Sequence, residues 1–323
     1  LTIYEGDVSV LFTARTDDTS ETVALLALTD PNGDSLYERS DVDSDDFLSE
    51  VYHEAVEGDG ELSIYLPNAP ETPLLPGDYQ IVLGTTYGSD ITEALAAIRS
   101  GNAACPAELA INLWVLSEDS DINAPENYDK IEGGLRDAFD GVMGPYDLSL
   151  GAVNFIDADD DQRAAYAQVS EDQMGEACQG LFELVGREAR ALNVLLVDEL
   201  TEEGGEGDYA TFGISPAPGS LVAWGAHEGD LTELGMTILH EGSHFMGMMH
   251  TSEEDGQMFD PLQDTAECAA DEYDSNSDSS VDADECADVD GGNYLFWGPN
   301  SGATEMTSDQ AWVLRRHPLF HVK

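Results

Sequence analysis

Through the first hundred residues, apolar and polar positions alternate in short runs. Val8-Ser9-Val10-Leu11-Phe12, Val23 to Leu28, Glu61 to Leu66 and Tyr79 to Gly84 each read as a strand. Between them, Asp30-Pro31-Asn32-Gly33-Asp34 and Pro76-Gly77-Asp78 carry the residues that set tight turns. Strands punctuated in this way predict an all-β antiparallel sandwich over residues 1–106. The small, polar run from Arg99 to Pro106 reads as the linker that ends it. No chemistry is visible in this part, which leaves packing, or binding of another protein or surface, as its expected role.

Beyond the linker the period changes. Leu109 to Leu116 is strand-like, and Ile131, Leu135 and Phe139 then fall on one helical face behind Pro125. Leu148 to Ile156 is a second strand, and Met174, Cys178, Leu181 and Val185 line a second helix. Strands follow at Asn193–Val197 and Leu221–Trp224, the latter after a Gly/Pro-rich loop over 213–219. A helix opened by Asp230 and Glu233, a candidate capping box, buries Leu231, Leu234 and Ile238. Residues 107–323 thus read as an α/β (α+β) domain with a mixed, twisted sheet.

Charge narrows the partners. The chain has 67 acidic against 11 basic residues, a formal −56, over 323 positions. Such a surface repels nucleic acid and anionic membranes, and it needs screening by cations or salt to stay compact. No run approaches the ~20 apolar residues of a membrane helix, so no membrane insertion is expected. The first residues show no basic patch followed by an apolar core, so an export signal is expected to be already removed or absent.

Candidate chemistry concentrates in His240-Glu241-Gly242-Ser243-His244-Phe245-Met246-Gly247-Met248-Met249-His250. On a helix, His240 and His244 stand one turn apart on one face and can share a zinc ion. Gly247 can take positive φ and reverse the chain, bringing in His250 as third ligand. Three histidines leave a coordination position open for catalysis, and Glu241 stands beside them as a general base for water. His227, His317 and His321 read as surface or packing residues.

The motif HExxHxxGxxH resembles the metzincin clan of zinc metalloendopeptidases. The order strand, helix, strand, helix, two strands, zinc helix is also that of metzincin catalytic domains, so the resemblance runs from about residue 108 to the end. It implies a zinc-dependent endopeptidase acting on protein or peptide, with substrate laid against the edge strand Ser220 to Ala226. The clan's methionine turn is matched by Asn293-Tyr294-Leu295-Phe296-Trp297, where Leu295 replaces the methionine. Met306 is the alternative, although its setting looks like the start of a last helix over Ser308–Arg316. Trp297 stands where some relatives carry a tyrosine ligand and cannot ligate. The ending, Asn-x-x-Phe-Trp and Asp-Gln-x-Trp-Val-Leu-Arg-Arg, is similar to secreted bacterial metzincin-like proteins, and pappalysin-type enzymes, which carry calcium near the same loop, are named as similar. The Asp-Pro-Asn-Gly and Pro-Gly-Asp-Tyr stretches resemble β-sandwich modules appended to secreted proteases.

Two further signals lie after His250. Asp274, Asn276, Asp278, Ser280, Asp282 and Glu285 fall at positions 1, 3, 5, 7, 9 and 12 of a calcium loop, with Ser279 where glycine is usual. The four cysteines fit two disulfides and a secreted, extracellular protein. Of the three pairings, Cys268–Cys286 staples the acidic loop and leaves Cys105–Cys178. Cys105 as a thiolate capping the zinc is the alternative to that second bridge. Two other readings compete with the peptidase: a zinc-binding pseudoprotease, which Leu295 favours, and a calcium-stabilised adhesive or filament protein, which the charge favours.

Overall fold

The computed structural model describes residues 1–17, 21–39, 52–55, 60–170, 181, 184–185, 190–201, 220–227, 229–298 and 302–323. Contacts divide the chain into two units. One joins Leu1–Cys105 to Met246–Pro318, and the other joins Pro106–Phe245 to Leu319–Lys323. The expected second domain, 107–323, is therefore split, its part after Phe245 clustering with the N-terminal strands.

In the first unit, β1 (Asp7–Arg15), β2 (Val23–Thr29), β3 (Ser35–Glu38), β4 (Tyr52–Ala55), β5 (Glu61–Leu66), β6 (Gln80–Thr85) and β7 (Glu93–Ser100) form two antiparallel sheets. Their orders are β4-β5-β1-β7 and β3-β2-β6. Val10, Ala14, Leu62, Ile64 and Leu66 from one sheet share a core with Val23, Leu25, Leu28 and Tyr37 from the other. Alternation puts Ser9 and Tyr65 on the opposite face of the first sheet. There Ser9 donates to the carbonyl of Arg316, and Tyr65 donates to that of Val313 at 3.1 Å. The expected linker is shorter than its composition suggested, because Arg99 and Ser100 are paired in β7 with Ser9 and Asp7.

In the second unit, β8 (Ala107–Val115), β9 (Leu148–Asp157), β10 (Leu192–Val197) and β11 (Ser220–Ala223) are parallel, in the order β9-β8-β10-β11. The short β12 (Phe320–Val322) pairs antiparallel with the start of β8. Helix α1 (Tyr128–Met143) buries Ile131, Leu135, Ala138, Phe139 and Val142, one face of a 3.6-residue period. Helix α2 (Leu231–Phe245) begins at Asp230, whose Oδ1 accepts from the main-chain N–H of Thr232 at 2.9 Å and of Glu233 at 3.1 Å. A Cβ at Gly235 would come within 2.8 Å of Ala138, and one at Gly242 within 2.5 Å of Leu192. Gly235 lets α2 approach the backbone of α1, and Gly242 leaves room for the Leu192 side chain of β10. Met174, Cys178 and the loop 213–219 lie outside the described residues.

Candidate metal centre

Helix α2 carries His240 and His244 in its last two turns. Their Nε2 atoms are 3.1 Å apart, with the rings crossed at 84°. Two ligands on a tetrahedral zinc with ~2.0 Å bonds stand about 3.3 Å apart, so the separation fits a shared ion. A hydrogen bond between the two imidazoles would also give this distance. It would not explain the third ring, because ligand atoms of His240, His244 and His250 all lie within 4.8 Å of one another. Three imidazoles whose ring nitrogens converge in this way are a donor set that zinc fits.

The chain returns His250 to this point through Gly247, whose φ is +90°. A Cβ there would sit 2.6 Å from Cδ1 of Tyr65, so the turn is closed to other residues by both backbone and space. Past the turn, Nδ1 of His250 lies 2.9 Å from Oε2 of Glu253. That contact orients the ring through Nδ1, the usual second contact of a metal-binding histidine. The sequence motif stops at His250 and gave no sign of Glu253.

Glu241 follows His240 on the helix and is 8% exposed, against 7% for His240. Leu295 is fully buried, its N–H donating to Oδ1 of Asn293 at 2.9 Å. Its carbonyl accepts from the N–H of Thr251, the residue after His250, at 2.9 Å. The segment at Leu295 thereby holds the strand that presents the third histidine. Asn293 and Gln310 exchange side-chain amide bonds at 3.0 and 3.2 Å in the core beneath it. Met306 precedes the N-cap Thr307 of α3 (Ser308–Arg316). Trp297 serves another part of the fold, donating to the carbonyl of Val281 at 2.6 Å.

His227 and His317 are buried, 1% and 0% exposed, and burial lowers their pKa to about 4 and about 3. His321 is exposed and contacts the carbonyl of Arg190 at 3.1 Å. Cys268 and Cys286 form a disulfide. Among the described residues Cys105 has no disulfide partner; Cys178, with which it was expected to pair, lies outside them.

In the acidic loop, Asp274 accepts from the N–H of Ser277 and Ser279, and Asp278 from Ser280. Asp282 accepts from the N–H of Asp284 and Glu285. Glu285 accepts from Ser275, Asn276 and Asp282. The Ser280 hydroxyl holds the carboxyl of Asp278 below its ordinary pKa, and the Ser275 hydroxyl does the same for Glu285. Ser277 and Ser279 take φ of 65° and 74°, so the position where glycine is usual carries the expected left-handed strain.

No family model and no curated protein matches the chain. Among solved structures it is similar to metalloproteinase-II from Bacteroides fragilis, with a TM-score of 0.36 and 14% identity, covering 67% of this chain and 54% of that one. It is also similar to archaemetzincin from Methanopyrus kandleri, with a TM-score of 0.31 and 12% identity, covering 65% of this chain and 88% of that one. Both likenesses are loose, and what the site can do rests on its own geometry.

Proposed function

We propose that this chain is a secreted zinc-dependent endopeptidase of the metzincin type, with Glu241 as general base. The observation that carries the reading is the convergence of His240, His244 and His250 within 4.8 Å, with a carboxylate next to the first of them. Zinc held there supplies Lewis-acid polarisation of the scissile carbonyl and acidifies water. Glu241 accepts the water proton and returns it to the leaving amine. His250, steadied by Glu253, closes the ligand set. Among the described residues, strand β11 ends the order of its sheet, so its outer edge can take an extended peptide through main-chain hydrogen bonds. Substrates are therefore proteins or peptides in extended form.

The Cys268–Cys286 bridge favours an oxidising compartment and thus secretion. Calcium at Asp274–Glu285 remains part of the proposal, favoured by carboxylates that local hydrogen bonds keep ionised. The β-sheet unit at the N-terminus is proposed to bind a protein or surface.

The test is cleavage of an unfolded protein by the zinc-loaded chain. Activity should vanish with a chelator and with Glu241→Gln, while Glu241→Gln still binds one zinc. Stoichiometric zinc without cleavage of any peptide in a broad library would replace this reading with that of a zinc-binding pseudoprotease, for which Leu295 is the specific support.

A further inference from the structure

A cavity of about 190 Å³ opens at one end of the two N-terminal sheets. It lies where the Asp30–Asp34 turn between β2 and β3, the end of β5 at Leu66, the loop 71–75 and Tyr79 come together. Its wall continues the core, since Leu66 and Tyr79 are buried members of that core and Leu36 and Leu74 pack against it. No basic residue lines the cavity, but three acids do. Asp30 is buried, whereas Asp34 and Glu71 are exposed.

The turn uses only part of the Asp30 carboxylate. Oδ1 accepts from the N–H of Asn32 and of Asp34, both at 2.8 Å, while Oδ2 takes only the Asn32 side-chain amide at 3.3 Å. A carboxylate has about four acceptor sites, so Oδ2 keeps spare capacity. Among the described residues, none of Asp30, Asp34 and Glu71 has an ion-pair partner. The Tyr79 hydroxyl accepts from the N–H of Leu75 at 2.8 Å, and among the described residues nothing accepts its own proton. Tyr79 is only 5% exposed, so an acceptor brought by an occupant would complete it.

Size and lining decide among occupants. At ~30 Å³ per water the cavity holds about six waters, well below the ~300 Å³ at which small-molecule pockets begin. It suits one long side chain. A bare metal ion would leave the leucine wall unused, a neutral apolar side chain would leave the acids unopposed, and an acidic one would be repelled. Lysine and arginine satisfy both halves, because their aliphatic stems cover apolar surface while the charged end stays in a polar setting. The field of a chain with formal charge −56 also draws basic segments toward it. We propose that this cavity is a docking pocket for one lysine or arginine side chain of a partner protein. Its stem lies against Leu36, Leu66 and Leu74, and its charge beside Asp30, with Asp34 and Glu71 at the rim. The inference rests on the binding role proposed above for the N-terminal sheets, to which it gives a place and a chemistry, and it is independent of the zinc site.

The experiment titrates the full chain, its leucine methyls labelled for NMR, with the capped peptide Ala-Ala-Lys-Ala-Ala. At 0.15 M salt the acid surface is screened beyond about 8 Å, which suppresses unspecific attraction. The expected result is a saturable shift centred on the methyls of Leu36, Leu66, Leu74 and Leu75. The arginine peptide should reproduce it, and the norleucine peptide, which keeps the stem and drops the charge, should not. Glu71→Gln should weaken binding about twofold to fivefold, the scale of one exposed charge pair. Asp137→Asn removes an exposed charge on α1 and should leave binding unchanged. No shift up to millimolar peptide, or shifts spread over the molecule without saturation, overturn the proposal. So do equal binding of the norleucine peptide and equal weakening by the two variants. Saturable shifts confined to other leucines of the sheets overturn this cavity as the site while upholding the binding role of the sheets.

Discussion

Replacing Gly247 by alanine tests how the ligand set is assembled. Two costs add. At φ +90° an L-residue loses about 1–2 kcal/mol against glycine. The new methyl would also stand 2.6 Å from Cδ1 of Tyr65, well inside the ~3.5–4.0 Å at which carbons attract. Tyr65 has little room to yield, being 1% exposed, bonded through its hydroxyl to Val313 and packed 5.1 Å from the ring of His317. Overpacking of this kind costs about 1–3 kcal/mol. The sum is ~2–5 kcal/mol, and at ~2–4 °C per kcal/mol for a chain of roughly this size the melting temperature should fall by about 4–20 °C.

Zinc reports on the same turn. If the strain is relieved by moving the reversal between His244 and His250, the third ligand moves with it, and zinc competition against a chelator should show weakened binding. Two controls divide the cost. Gly88 has φ +87° with nothing within 4 Å of an added methyl, so Gly88→Ala should show the backbone part alone. Gly247→Ala combined with Tyr65→Leu should recover part of the steric term and none of the backbone term, on a cycle corrected for Tyr65→Leu itself. A Gly247→Ala protein that melts and binds zinc like the wild type refutes this account of the turn.

Glu253→Gln should lower zinc affinity by about 10–100-fold while leaving the fold intact, as measured by chelator competition alongside circular dichroism. Acid should destabilise the chain. His227 and His317 titrate in the folded state at about 4 and about 3, below their ordinary 6.5, so the unfolded chain binds more protons and stability falls from pH 6.5 downward. Each contributes a slope of at most ~1.4 kcal/mol per pH unit. Urea unfolding at pH 7, 6 and 5 reads it, and His317→Asn should flatten the curve. Asp260 acts in the opposite sense: raised to about 7 chiefly by burial, it gives stability below its unfolded pKa that is lost as pH rises through 7. Ser279→Gly, at φ 74°, should raise stability by ~0.5–1 kcal/mol, and equal urea midpoints would show that the turn is unstrained. Added salt should stabilise a chain of formal charge −56, with the urea midpoint rising as the screening length falls from about 30 Å at 0.01 M to about 3 Å at 1 M; a flat response would argue that bound ions already neutralise the acid surface.

What could be read from the sequence follows the range of the interactions involved. Helix α2 was legible because its signals are local: Asp230 caps it, and Leu234 and Ile238 recur on the buried face. Leu148–Asp157 and Leu192–Val197 were legible for the same reason, as apolar runs of strand length. The strand Glu93–Ser100 was not, because most of its residues, Ala94 to Ala97 among them, are exposed and no alternation marks a core face. Its pairing with β1 is long-range and invisible in spacing. Nor could periodicity show that residues after Phe245 would gather with the N-terminal strands, since that depends on Tyr65, Ser9 and Arg99 meeting the end of α3. Glu253 and Asp260 escaped for a similar reason. In a chain this acidic one more carboxylate is no signal, and only its surroundings in the fold single it out.

That acidity also bears on where the few cations sit. Arg99 donates through Nη1 to the carbonyls of Arg315 and His317, and Arg316 to that of Trp312 at 3.0 Å. Arg136 donates to the carbonyls of Leu150 and Gly151 at 3.0 and 2.8 Å while it also pairs with Glu132. Arginine carries enough donors to serve main-chain oxygens where carboxylates are plentiful. The end of α3 is a favourable place for this, because its last carbonyls form the negative pole of the helix. Arg316 also lies 3.5 Å over the Trp312 ring. Burial lowers the pKa of Arg316 to about 10, and the charges of Arg315 and Arg99 push the same way, yet it stays protonated at neutral pH. Gathering three cations at one helix end costs less in a molecule whose net field is strongly negative, since that field offsets their mutual repulsion. Salt therefore acts on the fold with two signs: it relieves the acid surface and removes the field that steadies this cluster. The first should dominate because 67 acidic groups repel, whereas three arginines at one helix end gain; and because Arg99 is buried and Arg315 and Arg316 are half-buried, salt should reach them less than it reaches the exposed carboxylates.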